Sequence, residues 1–295
     1  MSAPSSPLSF PPSSSSPVFA AVVGRLRAAG CVFAEEEAGL LLSAARSPAD
    51  LSALVDRRVA GLPLEHVVGW AGFRGLRIAV DPGVFVPRRR TEFLVEQAAA
   101  LAPPGAVVVD LCCGSGALGA ALAAATPGLN LYAADVDPAA VRCARRNLPA
   151  DRVFQGDLYG PLPAGLRGRV RILLANVPYV PTGEIGLLPA EAREHEARVA
   201  LDGGADGLDV LRRVAAEAPR WLAPGGHLLF ETSERQTPEA VAVVVRSGLT
   251  ARVASSEELY STVVIATRPG GGEADGPGAG SGAVRSGPVR SRGGH

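Results

Sequence analysis

Four consecutive residues, Asn176-Val177-Pro178-Tyr179, are the part of this sequence best suited to chemistry. An amide nitrogen is a poor nucleophile because its lone pair is delocalised into the carbonyl. Two acceptors that take both N–H hydrogens orient such a group and raise the electron density on nitrogen. The Asn176 side-chain oxygen and the Val177 backbone carbonyl can be those acceptors. Val177 precedes a proline, which biases it to an extended conformation and helps aim its carbonyl. Tyr179 can stack on a planar group. By itself the stretch is also an ordinary loop composition, so its position in the fold has to decide.

A second constellation is Asp110-Leu111-Cys112-Cys113-Gly114-Ser115-Gly116, between an apolar run and a helical pattern. Gly114 and Gly116 allow a tight turn and a close backbone approach to a ligand. Asp135, one strand–helix–strand later, can accept both hydroxyls of a ribose. Gly156-Asp157-Leu158 can place a carboxylate and an apolar surface beside an adenine. Taken alone, the stretch fits two ligands. It suits S-adenosylmethionine, and Gly114 to Gly119 also matches the dinucleotide pattern G-x-G-x-x-G. No Gly-Lys-Ser/Thr follows, which excludes a phosphate-binding P-loop. Asn176 to Tyr179 breaks the tie. A planar nitrogen held there suits in-line displacement from a sulfonium, where positioning at roughly 3–3.5 Å supplies much of the acceleration.

The elements that must hold these residues alternate. Strands are expected at 107–109, 131–134, 153–154, 172–174 and 227–230. Helices are expected at 116–125, 138–148, 208–222 and 238–246. Such alternation means a mostly parallel sheet with helices on both faces, whose ligands sit at the carboxyl ends of the strands. Strands at 250–254 and 262–267, with no helix between them, predict an antiparallel hairpin on that sheet. Upstream, 18–61 reads as helical, with Ser47-Pro48 as a helix start. Residues 70–87 read as a hairpin-like connector, and a helix follows from about Thr91 to Leu101. The expected organisation is a disordered Ser/Pro-rich leader (1–17), a small helical domain with its connector (18–90), a catalytic domain (91–268) and a disordered Gly-rich tail (269–295).

Composition narrows the class. The 295 residues carry 29 basic and 29 acidic side chains, a balance that predicts no duplex nucleic acid partner. All the basic side chains except histidine are arginines. The four cysteines, Cys31, Cys112, Cys113 and Cys143, lack zinc-knuckle spacing and read as free thiols, and no metal is expected. No apolar run reaches the roughly 18 residues of a membrane span, and no signal peptide is recognisable. A monomeric cytoplasmic protein is the expectation. His195, between Glu194 and Glu196, reads as part of a solvated loop. His66, His227, Trp70 and Trp221 read as structural.

With those residues in view, 55–268 resembles the HemK/PrmC family of protein-(glutamine-N5) methyltransferases, which modify the glutamine of a Gly-Gly-Gln motif in translation termination factors. The resemblance is carried by Arg57-Arg58, Gly61-Leu62-Pro63-Leu64, Phe73-Arg74-Gly75-Leu76 and Val84-Phe85-Val86-Pro87-Arg88 with Thr91-Glu92. It continues through the glycine loop, Asn-x-Pro-Tyr and the run from Ala200 to Leu208. It implies a seven-stranded, Rossmann-like methyltransferase sheet behind a small helical domain, S-adenosylmethionine as cofactor, and a glutamine-bearing protein, such as a peptide chain release factor, as partner. By the resemblance, Cys112, Cys113, Gly114 and Gly116, with Asp135 and Leu158, hold the cofactor. Asn176 and Tyr179 hold the glutamine, and Phe85 and Arg88 line the pocket. Asp110, Ser115, Asp157 and Asn176 complete the expected cofactor set. Four departures mark a divergent subgroup. Cys112 stands for a glycine, Val177 for a proline, Arg88-Arg89-Arg90-Thr91-Glu92 for Arg-Pro-Glu-Thr-Glu, and Glu231-Thr232-Ser233 for Glu-x-Gly. The same nitrogen chemistry would also serve adenine N6 or cytosine N4 of a nucleic acid, and a non-catalytic cofactor-binding protein is the remaining alternative.

Overall fold

A computed structural model describes residues 16–270; most of the expected leader and all but two residues of the expected tail lie outside that range. Helix α1 (Pro17–Ala28) begins inside the expected leader, with Pro17 at its first position, where a missing N–H costs nothing. Helices α2 (Ala34–Ala44), α3 (Pro48–Val59) and α4 (Leu64–Val68) complete a bundle around Leu26, Leu41, Val55 and Val67. Ser47 caps α3, its side chain accepting from the Asp50 N–H at 3.1 Å. A two-stranded hairpin follows, β1 (Trp70–Phe73) antiparallel to β2 (Leu76–Ala79), and then α5 (Glu92–Ala99).

From there strands and helices alternate: β3 (Val107–Leu111), α6 (Ala117–Ala125), β4 (Asn130–Asp135), α7 (Pro138–Asn147), β5 (Val153–Gln155) and β6 (Val170–Ala175). Next come α8 (Ala190–His195), α9 (Asp209–Trp221), β7 (Leu222–Thr232), α10 (Thr237–Arg246), β8 (Thr250–Ser256) and β9 (Ser261–Thr267). The seven strands β3–β9 form one sheet in the order β5-β4-β3-β6-β7-β9-β8. β3, β4, β5, β6 and β7 run parallel, and β9 pairs antiparallel with both β7 and β8, the expected closing hairpin.

Each face of the sheet is buried in its own core, which is why the inner strands read as continuous apolar runs. In β3, Val108 packs into the core that holds α5, α6 and α7, while Val109 and Leu111 pack into the core of α9 and α10. Trp221 is buried there and stacks on Tyr159 with ring centroids 5.3 Å apart. Among the described residues no helix is long and apolar enough to cross a membrane.

Candidate active site

The carboxyl ends of the parallel strands open into a cavity of about 540 Å³, inside the usual range for small-molecule sites. Strand order decides what meets there. β4 and β5 bring Asp135 and Asp157-Leu158 to one side, β3 supplies the glycine loop at the centre, and β6 brings Asn176 to the other side. Of the residues singled out in the sequence, Cys112, Cys113, Gly114, Ser115, Asp135, Asp157 and Leu158 line the first part of the cavity. Asn176, Val177, Pro178, Tyr179, Phe85 and Arg88 line the second.

Two expected members do not line it. Asp110 lies behind the loop, 1% exposed, where Oδ2 accepts the Gly119 N–H at 2.9 Å. It ties the first turn of α6 to the end of β3, and burial pushes its carboxyl up to about 7. Gly116 faces the sheet's packing instead of the cavity. A Cβ there would lie 2.8 Å from the Leu148 side chain, and its φ is +79°, so the turn and the packing explain this glycine.

On the glycine-loop side, backbone donors position one carboxylate. Gly114 N–H donates to Asp135 Oδ2 at 2.8 Å and Asp137 N–H to Oδ1 at 2.9 Å. Each oxygen keeps a second lone pair for a ligand hydroxyl. Burial pushes the Asp135 carboxyl up, and these N–H donors counter it. Val136, Leu158 and Val210 add an apolar wall, and Arg213 pairs with Asp157 at the rim. Cys112 and Leu158 hold left-handed backbone, φ +53° and +47°, a conformation uncommon for residues with side chains. Burial pushes the Cys112 thiol up, so it remains protonated and a weak nucleophile.

On the Asn176 side, two acceptors stand free. Neither the Asn176 side chain nor the Val177 carbonyl has a hydrogen-bond partner among the described residues, although the Val177 side chain is buried. The loop that carries them is clasped by the run from Leu201 to Leu208. Val180 N–H donates to Leu201 O, Gly203 N–H to Val180 O, and the Gln236 side-chain amide to Tyr179 O at 2.9 Å. A Cβ on Gly203 would lie 2.7 Å from Pro178 O, and one on Gly207 2.3 Å from Tyr179 O. Gly203 and Gly207 are therefore required by contact with the Asn-x-Pro-Tyr loop, and Gly204 by its left-handed backbone beside the Asp209 side chain.

Tyr179 is fixed more firmly than a stacking platform needs. Its hydroxyl donates to Glu231 Oε1 at 2.9 Å and accepts from Arg90 Nη2. Arg90 Nε reaches the same carboxylate at 2.8 Å, and Thr91 Oγ1 donates to its other oxygen at 2.8 Å. Glu231 is 3% exposed, so the carboxylate end of the ion pair is out of water while Arg90 stays half-exposed. Burial and the Glu231 charge push the Tyr179 hydroxyl up, keeping it protonated.

The segment around His195 differs from the solvated loop expected of it. His195 ends the short helix α8, and Glu196 is buried. Glu196 Oε1 accepts from Val86 N–H at 3.0 Å and Arg88 Nη2 at 2.6 Å, and Ala197 N–H donates to Gly83 O. Arg88 also lies 5.0 Å over the Phe85 ring. Of the two flanking carboxylates, Glu194 pairs with the adjacent Arg193, while Glu196 recruits an arginine 108 positions away, which no local pattern signals. Arg90, Thr91 and, on α8, Glu191 also line the cavity, and Glu231 joins through Tyr179; these four enter the site from structure alone. His66 is structural as expected: Nε2 lies 2.8 Å from Val84 O, and burial holds the ring neutral by lowering its pKa.

Comparison with known proteins identifies the family and the fold. The family described as methyltransferase small domain matches residues 75–185. A "Release factor glutamine methyltransferase" of Geobacter sulfurreducens is 38% identical over 211 residues, covering 68% of this chain and 72% of the relative. A "4-amino-L-phenylalanine/4-methylamino-L-phenylalanine methyltransferase" of Streptomyces pristinaespiralis is 37% identical over 203 residues, covering 66% of this chain and 69% of the relative. Among solved structures, a methyltransferase from Pyrococcus furiosus shares the fold at 17% identity, with a TM-score of 0.50 over 66% of this chain and 90% of that one.

Proposed function

The chain belongs to the release factor glutamine methyltransferase family, and from that premise we propose that it transfers the methyl group of S-adenosylmethionine to the side-chain amide nitrogen of a glutamine in a peptide chain release factor. The observation that carries this reading is the pair of free acceptors, the Asn176 side-chain oxygen and the Val177 carbonyl, on a loop clasped at the cavity wall.

The residues on the glycine-loop side fit the cofactor. Asp135 has lone pairs left for two ribose hydroxyls, Val136, Leu158 and Val210 offer an apolar surface to adenine, and the loop of Cys112 to Ser115 borders the cavity centre. The cofactor, when bound, supplies an electrophilic methyl on sulfur. This chain's own residues do the rest. Asn176 and Val177 accept the two hydrogens of the glutamine amide. That fixes the nitrogen's direction and stabilises the positive charge that develops on it as the new N–C bond forms in place of the methyl–sulfur bond, with a neutral thioether as leaving group and the displaced amide proton passing to solvent water. Pro178 restricts Val177 to extended backbone. Tyr179, held by Arg90 and Glu231, presents its ring to the planar amide, and Phe85 and Arg88 border the same space.

Purified protein with isotopically labelled S-adenosylmethionine and a release factor tests the reading. The expected result is label in a single glutamine, found by peptide mass spectrometry, and a strongly reduced rate of labelling when the protein carries Asn176→Ala. A release factor that takes up no label, or label spread over residues other than glutamine, would overturn it.

A further inference from the structure

Resting on that reading, we propose that Glu191 is an acceptor-binding residue. Its free carboxylate oxygen takes N–H donors from the main chain flanking the target glutamine, and Arg58 of the N-terminal bundle is the positioning residue that holds it there.

Glu191 lies on α8, in the segment that leaves the Asn-x-Pro-Tyr loop at Val180 and returns at Leu201, where Val180 N–H donates to Leu201 O at 3.1 Å. This segment therefore borders the Asn176 side of the cavity. Glu191 lines the cavity with its side chain 48% exposed. Its Oε1 accepts from Arg58 Nη1 at 2.7 Å, and Oε2 has no hydrogen-bond partner among the described residues.

Arg58 does not need this second carboxylate. Glu37 already holds it in a two-pronged pair, Nε to Oε2 at 2.6 Å and Nη2 to Oε1 at 3.0 Å, with side chains 10% and 11% exposed. Arg58 Nη1 also donates to Leu62 O at 3.0 Å. A planar fork satisfied at that many points is a rigid mount. The other cations nearby are likewise matched, Arg88 by Glu196 and Arg90 by Glu231. Glu191 is left as surplus negative charge with a free oxygen, on a mount fixed in a separate core. Loss of the half-exposed Glu191 carboxylate leaves Arg58 paired with Glu37 and changes stability little, so folding does not account for the arrangement. A main chain running past the glutamine carries N–H donors and no countercharge, which suits one fixed carboxylate oxygen.

The test is steady-state kinetics with the full chain, a release factor and saturating S-adenosylmethionine. Glu191→Ala should raise the KM for the release factor about tenfold, the size of one charge-assisted hydrogen bond. Its kcat should stay within about twofold, with cofactor Kd by calorimetry and melting temperature unchanged. Glu191→Gln, which keeps an acceptor oxygen, should recover part of the KM. Arg58→Lys should raise KM in the Glu191 protein and add nothing in the Glu191→Ala protein, because the two act through one contact. An unchanged KM in Glu191→Ala, or a loss confined to kcat or to cofactor binding, overturns the inference. Its failure is distinguishable from failure of the underlying reading. If Asn176→Ala retained full activity, that reading would fall whatever Glu191 did.

Discussion

The two sides of the cavity are stitched together over different distances along the chain. On the cofactor side, Asp110 reaches Gly119 nine positions away, Asp135 reaches Asp137 two away, and Gly114 reaches Asp135 across 21. On the acceptor side, Arg88 meets Glu196 across 108 positions, Arg58 meets Glu191 across 133, and Arg90 meets Glu231 across 141. The first side is made mainly of backbone N–H groups donating to two carboxylates, with one exposed pair, Arg213–Asp157, at its rim; the second is made of arginine–carboxylate pairs sunk partly into the protein. A cofactor that is the same for every turnover can be held by a local backbone device. An acceptor that is itself a protein chain has to be met by side chains gathered from several elements, including a separate helical bundle.

That contrast can be broken or sharpened by substitution. The largest effect is expected on the acceptor side. Asn176→Ala removes one of two acceptors on the reacting nitrogen and should lower kcat by about 10²–10³-fold, the cost of losing one preorganised polar partner in other active sites. Cofactor Kd by calorimetry should move only a few fold; a large rise in Kd would show that the two sides are not separable. Asp135→Ala is the mirror experiment. With two hydrogen bonds to ribose lost and Gly114 released, cofactor Kd should rise about 10–100-fold, while kcat at saturating cofactor changes little. Unchanged affinity would remove the ribose role from Asp135.

Arg90→Ala should cost about 2 kcal/mol in chemical denaturation, because it strands Glu231 in a site 3% exposed, less than for a wholly buried pair because the Arg90 side chain is 48% exposed. It should also raise the acceptor KM by loosening Tyr179, and stability equal to that of the parent would show that Glu231 is content without it. The smallest change belongs to the cofactor side. Cys112→Gly relieves a left-handed backbone at φ +53° and should stabilise the protein by about 1 kcal/mol. A loss of stability there would mean that the Cys112 side chain contributes packing that outweighs its strain.

What the sequence determined by itself was whatever depends on neighbours. Alternating apolar runs and helical patterns specified the doubly covered sheet, because burial on both faces leaves its mark within five residues. Gly114, Asp135 and Leu158 were legible because strand–turn–helix geometry puts the turn after each parallel strand at the same end of the sheet. Asn176 to Tyr179 was legible because its position after β6 follows from that order. Asp110 and Gly116 sit in the same motif, yet one faces α6 and the other Leu148; a motif records that a residue type is required without recording what it touches. Only the tertiary structure decided the ion pairs that brace the acceptor side. Whether an arginine in Arg88-Arg89-Arg90 faces solvent, a substrate or a buried carboxylate depends on which distant segment folds over it. The carboxylates that settle the matter, Glu196 and Glu231, lie more than a hundred residues downstream. Charge carries no periodicity along a chain, and its partner is chosen by packing.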